Sequence, residues 1–360
     1  MGRSERGMWA LKDRTIILLQ SLAVTFTALL LIMGLVRFWQ QDADDFTNSE
    51  YFRQSRELEA QTVNDPLNVG SALRLGNFYY KLAKSEENWL NNDITTEYEV
   101  VYYIDQIDKW KQLGYDVSAY ANELQHGVIN AALRESFQQQ QMQVCSDAYD
   151  RALKYYCLAR AIDPECLSSA DKYSLGVIYL KKGDAYAAMA EAYIRAAYDE
   201  DYRVPEVATC LGNIAYQRKD LDNAVKWYQL ALEGNKDDLV VNFNLALALL
   251  DMKEYQQAAT RFQHILTRDA IKDGYYRGML AHIHLYLGQI ALTENRLTDA
   301  ARSFAQAAEV QPTLVEAHYY LGVASDRLHQ TDSARAAYTR ALEQQPDNQK
   351  IIDALKKLGA

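Results

Sequence analysis

The residues that could do chemistry in this 360-residue chain are few and poorly placed for it. His282 and His284 stand two apart, so on a helix they face different ways and make a poor metal pair. The four cysteines, Cys145, Cys157, Cys166 and Cys210, include no CxxC, which excludes a zinc ribbon and a thioredoxin-type motif. In an oxidising compartment Cys157 with Cys166 would cross one turn and is the pairing to test. The alternative is four buried small hydrophobic side chains. No phosphate loop, HExxH, calcium loop or nucleophile elbow occurs, and nothing in residues 84–147 pairs a nucleophile with a base. The expectation is a protein that is no enzyme, that needs no metal or other cofactor, and whose chemistry is recognition.

Composition narrows the class of partner. With 38 basic and 48 acidic side chains the net charge is -10, a poor basis for neutralising phosphates, so nucleic acid is not an expected partner. Apolar residues at 49% and charged residues at 24% are a globular balance rather than a disordered one. Only 5 Pro and 16 Gly leave little punctuation for many strands, so the elements that position any site must be helices.

The first element is a candidate anchor. No charge falls between Arg14 and Arg37, and residues 15–36 are mostly Leu, Ile, Val and Ala, with Gln20 the one costly polar group. As a helix this stretch spans about 33 Å, enough to cross a bilayer core. Arg3, Arg6, Lys12 and Arg14 precede it, while Asp42, Asp44 and Asp45 follow Arg37. The positive-inside rule then makes residues 1–14 a cytoplasmic tail and puts the rest on the far side of an inner membrane, in the periplasm of a bacterium. The apolar run is too long for a cleaved signal peptide, and no clear small-x-small site follows it. It contains no GxxxG, so a homo-oligomer through the span stays open but unspecified. Residues 37–66 read as a membrane-proximal linker or helix.

Beyond this point the sequence repeats itself. Leu211-Gly212 and Leu245-Ala246 stand 34 residues apart, as do Leu287-Gly288 and Leu321-Gly322. Behind each comes a second set in register: Ala224, Tyr228, Ala231; Ala258, Phe262, Ile265; Ala300, Phe304, Ala307; Ala334, Tyr338, Ala341. Spacings of four and three put each set on one helical face. There the small residues let two helices approach, and the aromatic fills the gap towards the next pair. Polar turns such as Arg218-Lys219-Asp220 separate the helices, and Pro312 and Pro346 stop the last two sets.

These residues resemble the tetratricopeptide repeat (TPR) family, whose helix-turn-helix units stack into a right-handed superhelix. The resemblance, to a membrane-anchored bacterial type, implies an all-α fold: a right-handed α-solenoid of TPR helix pairs preceded by one transmembrane helix. Residues 166–346 read as five units and 347–360 as a capping helix. The first unit begins at Leu175-Gly176, with Met189, Tyr193 and Ala196 one residue out of register and a step of 36 to the next. The step of 42 from Ala246 to Gly288 places eight inserted residues near Arg268 to Met279. Residues 67–165 form a divergent TPR-like region, with Leu75 to Tyr79 as another first helix and Ala152, Tyr156, Ala159 and Pro164 as a half-repeat. Within it the sequence predicts helices over 94–113, ended by Gly114, and over 118–142, with Ser146 capping the helix that follows.

The resemblance also implies an inner groove lined by the first helix of each pair. Its candidate protein-binding residues are Tyr173, Asn213, Tyr216, Phe243, Asn244, Leu247, Gln289 and Tyr319, an aromatic surface with amides that suits an extended peptide or a helix. In chaperone-binding members, cations and two asparagines clamp a partner's terminal carboxylate. Asn213 and Asn244 match the asparagines, but Thr209, His282 and Tyr286 stand where cations belong, so a carboxylate would lack the charge that offsets its desolvation. The function expected is a scaffold that assembles an extracytoplasmic cell-envelope complex, of which a secretion or flagellar motor structure is an example. The rivals are a cytoplasm-facing receptor or co-chaperone, and a regulatory subunit of an enzyme complex with 84–147 as the active insert.

Overall fold

The computed structural model describes residues 49–90, 99–120, 131–272 and 274–359, and among these every regular element is helical. The anchor expected at 15–36 lies outside the described residues. No described helix is long and apolar enough to cross a membrane. The chain divides into two compact units, one of residues 1–87 and 95–148, the other of residues 88–94 and 149–360.

The first unit holds α1 (Ser49–Asn64), α2 (Val69–Leu90), α3 (Glu99–Gln112) and the start of α4 (Ala131–Ile162). Its core is built from unrepeated aromatic contacts. Trp110 and Phe137 lie 4.4 Å apart and Tyr103 and Phe137 4.1 Å apart, while Phe52 meets Phe78 edge-on at 6.1 Å. Beside them Lys109 Nζ lies 2.5 Å from Glu86 Oε1, with both side chains buried. The Glu86 main-chain carbonyl accepts from Gln141 Nε2 at 3.3 Å. Gly114, at φ 88°, follows α3 as the sequence predicts. Ser146 is no cap: α4 runs straight through it, exposed, because nothing near it breaks the helical pattern.

The second unit continues from Tyr149 and places five helix pairs in succession. They are α5 (Ser169–Lys181) with α6 (Ala187–Asp199), α7 (Pro205–Gln217) with α8 (Leu221–Gly234), α9 (Leu239–Asp251) with α10 (Tyr255–Leu266), α11 (Arg277–Thr293) with α12 (Leu297–Val310), and α13 (Val315–Arg327) with α14 (Thr331–Gln344). The closing helix α15 (Gln349–Lys357) packs on α14 and buries Ile351. Each helix packs on the next, so the unit is a solenoid whose contacts are nearest-neighbour.

The glycines explain how close the paired helices come. A Cβ on Gly212 would lie 2.6 Å from Tyr228 Cε1, one on Gly288 2.6 Å from Phe304 Cε1, and one on Gly322 2.5 Å from Tyr338 Cε1. The aromatic of each second helix therefore sits on the glycine of its own pair, not only in the gap to the next. It serves the next pair as well: Phe262 stacks on Tyr286 at 5.7 Å and Phe304 on Tyr320 at 5.5 Å. Fully burying such a ring contributes about 1.5–3 kcal/mol.

The first pair differs from its expected register. The buried face of α6 is Ala190, Ile194 and Ala197, not Met189, Tyr193 and Ala196, and a Cβ on Gly176 would meet Ile194 Cγ1 at 2.5 Å. The spacing of four and three is thus kept; two extra residues sit in the turn, where a 3-10 helix (Asp184–Tyr186) forms. The insertion before α11 forms two more 3-10 turns (Asp269–Lys272 and Gly274–Tyr276), pinned by the buried Ile271, and lengthens α11 to 17 residues.

Candidate functional site

The first helices carry the candidate groove, and buried polar residues fix where those helices begin. Asp238 caps α9 by accepting from Val241 N at 2.9 Å. Asn242, fully buried, donates from Nδ2 to the carbonyls of Lys236 and Asp238 at 2.9 and 2.8 Å. His318 repeats this tie in α13, with Nε2 2.9 Å from the Pro312 carbonyl six residues back. His284 stands at the matching place in α11, where burial lowers its pKa and favours the neutral ring. His318 thus holds the loop before α13 to that helix. Among the described residues no group of three or more His, Cys, Asp or Glu could hold a metal ion.

All eight candidate residues are half-buried, and four are brought together. Asn213 Oδ1 accepts from Tyr228 Oη at 2.8 Å and from Asn244 Nδ2 at 3.1 Å, which links α7 to α9. Among the described residues no further hydrogen bond is made by Asn213 Nδ2 or Asn244 Oδ1, which leaves amide N–H and C=O groups for a peptide. The Asp251 carboxylate, at the end of α9, lies near the Tyr216 phenol: burial first, then Asp251, push that phenol up to about 12. Phe243 reaches across to Tyr286 of α11, ring centroids 6.2 Å apart.

Leu247 packs against the central core beside them. At the ends of the row, Tyr173 lies 5.8 Å from the Tyr202 ring, and Tyr319 lies 5.8 Å from the Tyr338 ring. Gln289 is placed on α11, where its main-chain carbonyl accepts from Thr293 Oγ1.

Sequence reasoning missed Asp251 and Tyr228 and read Tyr286 only as a lost cation. Asp251 follows Asn244 and Leu247 at spacings of three and four, a same-face signal that could have found it. The reach of Tyr228 through its own pair to Asn213 had no such signal. Burial, then the charges of Asp251 and Glu316, raise the Tyr286 pKa. Lys219 Nζ lies 3.1 Å from Asp251 Oδ2 and 5.2 Å from the Tyr216 ring centroid, so an ammonium already occupies this corner.

A second concavity opens elsewhere in this unit. A cleft of about 450 Å³ lies among α6, α7 and α8, lined by Glu191, Arg195, Leu211, Arg218, Trp227 and Leu230. Its floor is Trp227, with the Arg195 guanidinium 5.9 Å from the ring and Tyr198 edge-on at 5.0 Å. Glu191 pairs with both Arg195 and Arg218. The cysteines do not follow the expectation of four buried hydrophobes. None forms a disulfide, and only Cys145 is buried; Cys157 is exposed because it faces away from Tyr156 and Ala159, the buried side of α4.

Residues 173–238, 243–314 and 285–349 match the tetratricopeptide repeat family, so the helix pairs of α5 to α14 carry TPR repeats. A curated relative, the STIP1 homolog of Dictyostelium discoideum, is 28% identical over 97 residues, 27% of this chain; the chain spans 17% of that relative's length. Among solved structures, YrrB, described as a TPR protein with an unusual peptide-binding site, is 17% identical with a TM-score of 0.46, over 55% of this chain and 96% of that one. The C-terminal part of a TPR repeat-containing protein from Cytophaga hutchinsonii is 19% identical with a TM-score of 0.48, over 71% of this chain and 98% of that one.

Proposed function

We propose that this protein is a membrane-anchored TPR scaffold that holds a protein partner along its first helices, and that it helps to assemble a complex on the outer face of an inner membrane. The observation that carries the binding reading is the linked face of α7, α9 and α11. There Asn213 and Asn244 are hydrogen-bonded to each other, Lys219 bridges Asp251 and the Tyr216 ring, and Phe243 meets Tyr286. Half-buried rings beside an amide pair with N–H and C=O groups left over suit an extended peptide, whose main chain needs both. The uncharged stretch 15–36, with basic residues before it and acidic ones after it, supports the anchor and its orientation. The reading assigns no catalysis and no cofactor, and it leaves the bilayer as the second partner.

Two measurements test it. Photo-crosslinking probes at Tyr216 and Phe243 in intact cells should capture the same extracytoplasmic protein at both positions. Capture of cytosolic chaperones would turn the chain around and favour a cytoplasm-facing co-chaperone; no capture at either position would remove the groove from the proposal. Cys157, exposed and free, reports the topology. A membrane-impermeant maleimide should label it in cells whose outer envelope alone is opened, and labelling only after full lysis would refute the orientation.

A further inference from the structure

We infer that the corner formed by Asp251, Tyr216 and Tyr286 receives a cationic side chain, lysine or arginine, of an extended peptide. This rests on the reading of the first helices as a peptide groove and names the partner's chemistry. Three observations carry it.

First, the corner already holds a cation. Lys219, in the turn after α7, places its ammonium 3.1 Å from Asp251 Oδ2 and 5.2 Å from the Tyr216 ring centroid. An ammonium over a phenol ring and against a carboxylate is held by both, and the Lys219 side chain is 71% exposed, so it can give way to another.

Second, the helices around the corner are acidic. The ionised groups of α7, α9, α11 and α13 are the carboxylates Glu206, Asp251, Glu316 and Asp326 and the guanidiniums Arg277 and Arg327. Both arginines are committed elsewhere. Arg277 Nε donates to the Val310 carbonyl at 2.9 Å, and Arg327 Nη2 to Asn295 Oδ1 at 2.7 Å. Among the described residues Glu206, Glu316 and Asp326 have no ion pair. The upward shift of Tyr286 from Asp251 and Glu316 reports the same negative field.

Third, a carboxylate is disfavoured here, because the Lys219 ammonium at the corner is already paired with Asp251. A peptide terminus brought to Asn213 and Asn244 would face Asp251 with no uncommitted cation beside it, and a carboxylate desolvated without a counter-charge is expelled. A lysine or arginine side chain would instead meet a carboxylate and two rings, while Asn213 Nδ2 and Asn244 Oδ1 hold its main chain.

The test is fluorescence anisotropy with the full chain in detergent and three labelled twelve-residue peptides, identical except for Lys, Gln or Glu at every third position. The Lys peptide should bind about tenfold tighter than the Gln peptide, and the Glu peptide weakest. Asp251→Asn should weaken the Lys peptide about tenfold and leave the Gln peptide unchanged. Lys219→Ala, which removes the internal competitor at an exposed turn, should tighten the Lys peptide; this keeps the test readable if Asp251→Asn lowers folding, as checked by circular dichroism. If the Gln peptide binds as well as the Lys peptide and responds to Asn244→Ala but not to Asp251→Asn, the cation pocket is refuted while the groove stands. If no peptide binds, or binding ignores Asn244→Ala and Asp251→Asn alike, the cation pocket and the groove fall together.

Discussion

The two compact units bury their cores by different means. From Tyr149 on, the helix pairs repeat one device: a small residue on the first helix, a ring or Ile from the second, and alanines on either side, with Ile265 replacing one of them in α10. Up to Ala148 the described residues share no such unit. Trp110, Phe137, Tyr103 and Tyr120 form one aromatic cluster that has no copy, and a buried Glu86–Lys109 ion pair stands beside it. A repeated device depends on shape and on nearest neighbours, so each pair tolerates local change. An unrepeated core that contains an ion pair depends on one contact with no copy to replace it.

The sharpest way to break this contrast is at Lys109. Lys109→Ala leaves the Glu86 carboxylate buried without its counter-charge and should cost about 3–5 kcal/mol. Hydrogen exchange should place the loss in residues 49–148 and spare the repeats. The double change Glu86→Leu with Lys109→Met should restore most of it, since two apolar groups of similar size have no charge to desolvate. A single variant as stable as the parent would show that the pair contributes nothing.

An intermediate effect is expected at Gly288. Its Cβ position is 2.6 Å from Phe304 Cε1, so Gly288→Val should displace the ring and cost about 1–3 kcal/mol, read from urea unfolding. Gly288→Ala should cost less, because Ala246 already stands at the equivalent place in α9 with Phe262 fully buried. If Val and Ala were equally harmless, the glycine would be no spacer.

The smallest effect is a gain. Lys219, Lys253, Asn295 and His329 occupy the same turn position with φ between 61° and 65°, and the next residue donates back to the first helix, as Glu254 N does to the Leu249 carbonyl at 2.8 Å. The first pair has Gly183 in this place, at φ 95°. Lys253→Gly should therefore raise stability by about 1 kcal/mol, visible as a higher midpoint in thermal melts. A lower midpoint would mean that the lysine makes a compensating contact.

Much of the repeat unit was legible because a solenoid writes its contacts at fixed spacing. Gly212, Tyr228, Ala224 and Ala231 reveal their packing by recurrence alone. The same habit misled at α6, where Tyr193 was taken for the packed ring. Two added residues in the turn carry Ile194 onto Gly176 instead, and a period of 36 does not say where its extra residues sit. In the first unit Ser146 had the type of a cap but lies within a continuous helix; no Pro or Gly near it could have ended one. The groove residues were placed on their helices by register, yet their partners came from elsewhere: Tyr228 from the second helix of its pair, Asp251 and Lys219 from helix ends.

What the amino-acid sequence determined by itself is whatever depends on local spacing: helix period, pairing order, the glycine on each first helix, and the absence of familiar catalytic motifs. What only the tertiary structure decided is which polar groups meet. Asn213 with Asn244, Lys219 with Asp251, and Glu86 with Lys109 are joined across different elements, and two such side chains share a contact only once backbone geometry sets the distance between them. Spacing along a chain encodes a helical face, whereas the charge and hydrogen-bonding character of a surface depends on the neighbours that folding brings to it.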